Sequence, residues 1–130
     1  MLQRLTYVSR AGLALDLDAL VEKAALANQG FGVSGLLLQE NGVILQVLEG
    51  PRTAIAPLFL RIASDQRHFD VTLIEARPID ELCFPRWGMT LLDGALKTRA
   101  LWASHGAAGF DPFAMPARAI SDFVRLASFE

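Results

Sequence analysis

Apolar residues recur along the chain in two rhythms, one suited to strands and one to helices. Leu2, Leu5, Tyr7 and Val8 make residues 2–9 a plausible first strand. Asp16 can then cap a helix, its carboxylate accepting from the free N–H groups of the first turn. Leu17, Leu20, Val21, Ala24 and Asn28 share one face at helical spacing, and Gly30 suits the stop. Two apolar runs follow, Val33 to Leu38 and Val43 to Leu48, joined through Glu40-Asn41-Gly42. Asn-Gly between apolar runs is a strong hairpin signal, because both positions tolerate positive φ. Gly50-Pro51 opens a second helix, with proline preset for the first helical position. Its apolar residues Ile55, Leu58, Phe59 and Ile62 again recur at helical spacing. Asp70 to Ala76 reads as a fourth strand and Trp87 to Leu92 as a fifth, after a loop containing Pro78 and Pro85.

The resulting order, β-α-β-β-α-β-β, is an α+β, ferredoxin-like arrangement with one added strand. Two helices cover one face of such a sheet. A run as apolar on both sides as Val43–Leu48 asks for cover on the other face too. The tail can supply it, with a short helix near 97–104 and another after Met115-Pro116. Residues 1–93 are therefore expected to form the main body, and 94–130 a C-terminal helical cap of the same domain.

Composition narrows the function classes. A chain of 130 residues with 52% hydrophobic residues can bury one real core. Twelve basic against fourteen acidic residues, with no basic run, argue against nucleic acid or an anionic membrane as partner. The single cysteine, Cys83, excludes an internal disulfide and a cysteine-rich zinc site. His68 and His105 lie far apart, without metal-ligand spacing, so no metal is expected. The N-terminus lacks the apolar core of a signal peptide, and no apolar run approaches the roughly 20 residues that span a bilayer. The expected location is the cytoplasm.

Gly30-Phe31-Gly32-Val33-Ser34-Gly35 spells G-x-G-x-x-G, but here a helix ends and a strand begins. The dinucleotide mechanism needs the opposite order, so this stretch reads as a helix stop and a strand start. Gln46 says more. It interrupts Val43–Leu48, where a buried amide without partners costs on the order of 1–3 kcal/mol. Its partner is either a neighbouring protein group or a bound ligand. Tyr7 shares the parity of Leu5 and is either core or functional; Asn28 ends an apolar helical stripe and is either a cap or a ligand contact. Trp87 and Met89 alternate in the last strand and can simply pack a core. Together, a phenol and two amides on apolar faces could converge on a flat heterocycle with alternating donors and acceptors. The small Ala24, Ala25 and Ala27 would leave a slot for it, and no nucleophile–base pair accompanies them.

These residues resemble the BLUF domains, blue-light sensors that use FAD, over about residues 2–93. The stretches that carry the likeness are Arg4-Leu5-Thr6-Tyr7-Val8-Ser9-Arg10, Asn28 seven residues before Gly35, and Leu45-Gln46-Val47-Leu48-Glu49-Gly50-Pro51. Arg61-Ile62 with Asp65-Gln66-Arg67-His68, and Phe84-Pro85-Arg86-Trp87-Gly88-Met89, complete the series. The resemblance implies FAD between the two helices. Asn28 would bond its C4=O and N3–H edge and Gln46 its N5 and O4 region, while Arg61, Asp65 and His68 would stand toward the outer ring edge or the ribityl and phosphate side. It also implies Tyr7 as a light-driven electron and proton donor, Gln46 as a switch by rotation or tautomerisation, and Trp87 and Met89 as the relay. Ala27, Ser34 and Gly88 depart from the more usual polar residue, threonine, and serine or histidine of the family.

Such a photosensor needs no catalytic turnover. Without an output domain in these 130 residues it would signal to a protein partner, or through a homodimer made by a sheet edge or the tail. FAD rather than FMN rests on the resemblance alone. Two other classes compete. A small acylphosphatase-like hydrolase would use Ser9-Arg10-Ala11-Gly12 as an anion loop, and a ligand-free interaction module would keep Tyr7 and Gln46 as core filling.

Overall fold

Alternation of side chains along a strand sets the architecture. In the computed structural model, which describes residues 1–12, 32–40, 42–84, 88–92 and 112–127, both faces of the third strand are buried from Val43 to Gly50. A strand of that kind must lie inside a sheet covered on both sides. The strands are β1 (Leu2–Ala11), β2 (Ser34–Glu40), β3 (Val43–Pro51), β4 (His68–Ile79) and β5 (Gly88–Leu92), in the order β4-β1-β3-β2-β5. Neighbours run antiparallel except β2 and β5, which are parallel. This is the α+β, ferredoxin-like sheet with one added strand.

Two described helices close it. On one face, α1 (Arg52–Ala63) sets Ile55 into a cluster with Leu5, Tyr7, Val33, Leu37, Ile44 and Leu48; Leu58, Phe59 and Ile62 pack against it. These are the residues that the helical spacing singles out. On the other face, α2 (Ala117–Ala127) sets Ile120 and Val124 against Val8, Leu36, Leu38, Val43, Leu45 and Val47. The helix expected after Met115-Pro116 therefore forms and covers the second face. The helix expected after Asp16 and the short one near 97–104 fall outside the described residues.

Three local outcomes differ from the sequence pattern. Pro51 is not the first helical residue but the N-cap, with φ −58° and ψ 134°. The reason is the sheet: Pro51 still pairs with Leu2, and the next amide, Arg52 N–H, donates to Met1 O at 3.0 Å. Pro78 lies inside β4 rather than in a loop. The strand is at the sheet edge, where a missing N–H breaks no ladder. And β4 starts earlier than the apolar run, at His68, passing Asp70 at φ 55°. The hairpin between β2 and β3 turns at Gly42, whose φ of 76° suits a residue without a Cβ.

Candidate functional site

Register brings Tyr7 and Gln46 together. Leu5 pairs with Leu48, so two residues further along β1 Tyr7 stands directly opposite Gln46, and Gln46 stands opposite Leu37 on its other side. Both side chains are buried, at 3% and 6% exposure, on the face that α1 covers. The Tyr7 hydroxyl donates to Gln46 Oε1. The amide that the apolar strand cannot hold alone thus has a protein partner from the neighbouring strand. With its oxygen accepting from the phenol, the Nε2 end of Gln46 presents only donor hydrogens to whatever lies beyond.

The surroundings keep the phenol neutral. Burial first, and then the negative charge of Asp65, push its pKa up from the ordinary value. Phe59 lies 5.6 Å from the Tyr7 ring at 48°, and the His68 ring meets it edge-on at 6.1 Å. His68 is itself fixed at both nitrogens. Nε2 is 2.6 Å from Ile62 O, a pure acceptor, so Nε2 carries the hydrogen. Nδ1 is 2.8 Å from Ser9 Oγ, which in the neutral ring donates to it.

At the same end of α1, Asp65 accepts from Arg67 at three atoms: the backbone N–H at 2.9 Å, Nε at 3.0 Å and Nη2 at 2.5 Å. Those bonds, side chain first and backbone second, hold its carboxyl well down, at about 2. Arg61 sits exposed in the last turn of the helix, its carbonyl taken by Ser64 Oγ at 2.9 Å. Arg61, Asp65 and His68 therefore gather at one end of α1, but two of the three spend their polar atoms on the chain itself. Met89 occupies the register position opposite Gly35, in the row of Leu48, two residues along β3 from Gln46. Asn28 and Trp87 lie outside the described residues.

A second polar constellation escaped the sequence reading. Arg4 and Glu49 face each other across β1 and β3, and Arg4 Nε donates to Glu49 Oε2 at 2.7 Å. Both are almost wholly buried, at 2% and 0% exposure. The other oxygen, Glu49 Oε1, accepts from the backbone N–H groups of Cys83 at 2.7 Å and Phe84 at 3.0 Å. The available signal was an opposite-sign pair in two apolar strands; matching them requires the register.

The anion loop of the hydrolase reading is not built. Ala11 N–H donates to Gly42 O at 2.8 Å and Gly12 N–H to Arg67 O at 2.9 Å, while Ser9 Oγ is engaged by His68. Its donors are turned to protein. Among the described residues no three metal-ligating side chains converge, and no helix is long and apolar enough to cross a membrane.

Comparison with known proteins gives a consistent picture. Residues 2–90 match the family described as BLUF, sensors of blue-light using FAD. The photoactivated adenylate cyclase subunit beta of Euglena gracilis is 41% identical over 93 residues, which are 68% of this chain and 11% of that protein. The chain thus spans a small fraction of the curated relatives it matches. Among solved structures, BlsA in its photo-activated state superposes with a TM-score of 0.92 at 26% identity, covering 100% of this chain and 96% of that one. The dark state of BlrB, a BLUF protein, gives 0.81 at 27% identity, covering 98% and 96%.

Proposed function

The chain belongs to the BLUF family of flavin-using blue-light sensors, and from that membership we propose that it is a photoreceptor that binds FAD non-covalently and switches through Tyr7 and Gln46. The observation that carries the reading is the buried hydrogen bond from the Tyr7 hydroxyl to Gln46 Oε1 on the two central strands. The donor set suits the ring: Gln46 Nε2 can only donate, and flavin N5 and O4 can only accept. Asn28 would hold the C4=O and N3–H edge. Arg61, the exposed cation at the end of α1, serves the ribityl and phosphate side. Asp65 and His68 act on Tyr7 more than on the ligand, one through its charge and the other by its fixed edge.

The bound flavin supplies absorption of blue light and a ring that accepts an electron. Tyr7 would give one electron to that ring and one proton along the existing bond to Gln46 Oε1, while a proton of Gln46 Nε2 would pass to the ring, leaving the amide neutral. A phenol held neutral by burial has that proton to give at any ordinary pH. Gln46 would answer by rotation or tautomerisation, and Tyr7 would regain both particles from the ring as the red-shifted state forms. Only the arrangement of the amide would then be left to revert in darkness. The altered amide then biases β5, where Met89 lies and Trp87 precedes it, as a two-state element. The output is a change read by a protein partner, without turnover by this chain. The adenylate cyclase in the relatives' names suggests an effector of that class for the first trial.

Purified protein should carry a flavin spectrum that shifts slightly to the red under blue light and recovers in darkness. Gln46→Leu should abolish the shift and keep the flavin, and Tyr7→Phe should block the normal photocycle. A colourless protein that takes up no added flavin refutes the reading; an unchanged photocycle in Tyr7→Phe refutes the assignment of the donor.

A further inference from the structure

Glu49 is buried, charged and far in sequence from everything it touches. Its carboxylate joins three segments: Arg4 in β1, its own strand β3, and the backbone of Cys83 and Phe84. Phe84 is four residues before Gly88, the first residue of β5. The carboxylate therefore fixes the backbone just before the strand that carries Met89. Gln46 sits three residues earlier on β3, with its side chain on the opposite face. One strand thus bears the amide of the Tyr7 pair on one side and the anchor of the β5 approach on the other.

The row through Glu49 contains two more polar groups, Arg77 of β4 opposite Arg4 and Ser34 of β2 opposite Glu49. Arg77 pairs with Arg4, Arg4 with Glu49, Glu49 with Ser34, and Ser34 with Gly88, so all five strands contribute to a single line across the sheet. Ser34 is 0% exposed, and its Oγ has no hydrogen-bond partner among the described residues. A buried hydroxyl without a partner is unfavourable, and one placed directly across from a carboxylate is a donor held in reserve. Removing the Cys83 and Phe84 amides would ordinarily leave Glu49 Oε1 desolvated and unbonded. A Ser34 hydroxyl turned toward it replaces one of the two lost bonds.

We infer that Glu49 is the positioning residue for β5, and that its Oε1 exchanges the Cys83 and Phe84 amides for the Ser34 hydroxyl when β5 shifts. The inference rests on the photoreceptor reading for what drives the shift; the clamp itself is present in darkness. Ser34 makes the second state accessible by keeping the carboxylate bonded in both. Arg4 stays on Oε2 throughout, so the charge remains paired while only neutral donors change places.

Backbone hydrogen exchange of the flavin-loaded protein in darkness and under blue light tests this. In wild type the Cys83 and Phe84 amides should be protected in darkness and exchange faster in the light. Glu49→Gln keeps the size of the side chain and weakens its acceptor. It should speed dark exchange at both amides by about tenfold or more, the scale of losing charge-assisted hydrogen bonds. Ser34→Ala removes only a hydroxyl and should fold even if Glu49→Gln does not. Its flavin red shift should match wild type, while the light-induced rise in exchange at residues 83 and 84 shrinks several-fold. A normal red shift with a wild-type rise in Ser34→Ala overturns the exchange, and dark protection unchanged in Glu49→Gln overturns the clamp. Absence of any light-induced red shift in wild type overturns the photoreceptor reading instead.

Discussion

Tyr7 is the only tyrosine of the chain, so its phenol can be titrated without interference from another. In an unfolded chain a tyrosine ionises near pH 10, approximately its model-peptide value. In the folded protein, burial and then the charge of Asp65 raise that value. The sign follows from proton binding: above about pH 10 the unfolded chain releases the proton while the folded protein keeps it, so alkali favours unfolding. At about pH 11, with the folded phenol still protonated, the unfolded state gains RT ln(1 + 10), or about 1.4 kcal/mol. That contribution is fully in place below about pH 10 and is lost as the pH climbs toward the folded value. The assay is the ultraviolet absorption of tyrosinate, taken as wild type minus Tyr7→Phe so that every other chromophore cancels. Urea unfolding at about pH 9 and about pH 11 completes it, and Tyr7→Phe should lack the extra loss of about 1.4 kcal/mol. Asp65→Asn removes the smaller cause and should lower the folded titration only part of the way. A folded protein whose phenol ionises at the unfolded value would refute the burial of Tyr7 and, with it, the description of the pair.

Two further outcomes follow from the packing. Gly50→Ala places a Cβ 2.8 Å from Gly32 O and 3.2 Å from Val33 Cα, both backbone atoms that cannot swing away. It should lower the urea midpoint by an amount equivalent to about 1–3 kcal/mol; a change of a few tenths would mean that the β2 approach is looser than its contacts suggest. Ser121→Ala removes the hydroxyl that donates to Glu75 Oε2 at 2.7 Å, the polar tie between α2 and β4. It should cost about 1 kcal/mol and speed amide exchange in α2; unaltered exchange would assign that helix wholly to its apolar contacts.

Periodicity carried the strands because alternation and burial coincide in this sheet. Val43–Leu48 reads as apolar on both sides, and both sides are covered. Asn41-Gly42 announced its hairpin because both residue types tolerate positive φ, a property of single residues, and Gly42 takes it at 76°. The ends of elements were less legible because partners set them. Pro51 stays in the ladder with Leu2, and Pro78 is tolerated because β4 is an edge. Tyr7 and Gln46 could be singled out as polar groups on apolar strands, yet their contact depends on a register linking residues 39 apart in sequence. Arg4 and Glu49 show the limit more sharply. Each alone looks like an ordinary surface charge, and only the folded sheet reveals that both are buried and bonded over 45 residues. His68 shows the reverse: a residue marked for a ligand turns out to spend both nitrogens on Ser9 and Ile62.

The placement of the two polar pairs also bears on how such a sheet can switch. Breaking a buried ion pair by removing one partner costs about 3–5 kcal/mol, enough to oppose the stability of a small domain. Exchanging one neutral hydrogen bond for another involves about 1 kcal/mol. On β3, the face toward α1 carries the neutral pair, Tyr7 and Gln46, and the face toward α2 carries the charged one, Arg4 and Glu49. In the proposed switch, rearrangement of Gln46 would therefore move no net charge through the low-dielectric interior, and the two amide arrangements can lie within a few kcal/mol of each other. Were the order reversed, with the carboxylate at the photoactive position, each switch would strand a charge and the second state would be scarcely populated. The ion pair supplies the fixed point, and in the proposed exchange all that would change on its side is which neutral donors satisfy Oε1: the amides before β5 or the hydroxyl of Ser34. A sheet built in this way can transmit a small change at a buried amide to an edge strand without ever leaving a charge unpaired.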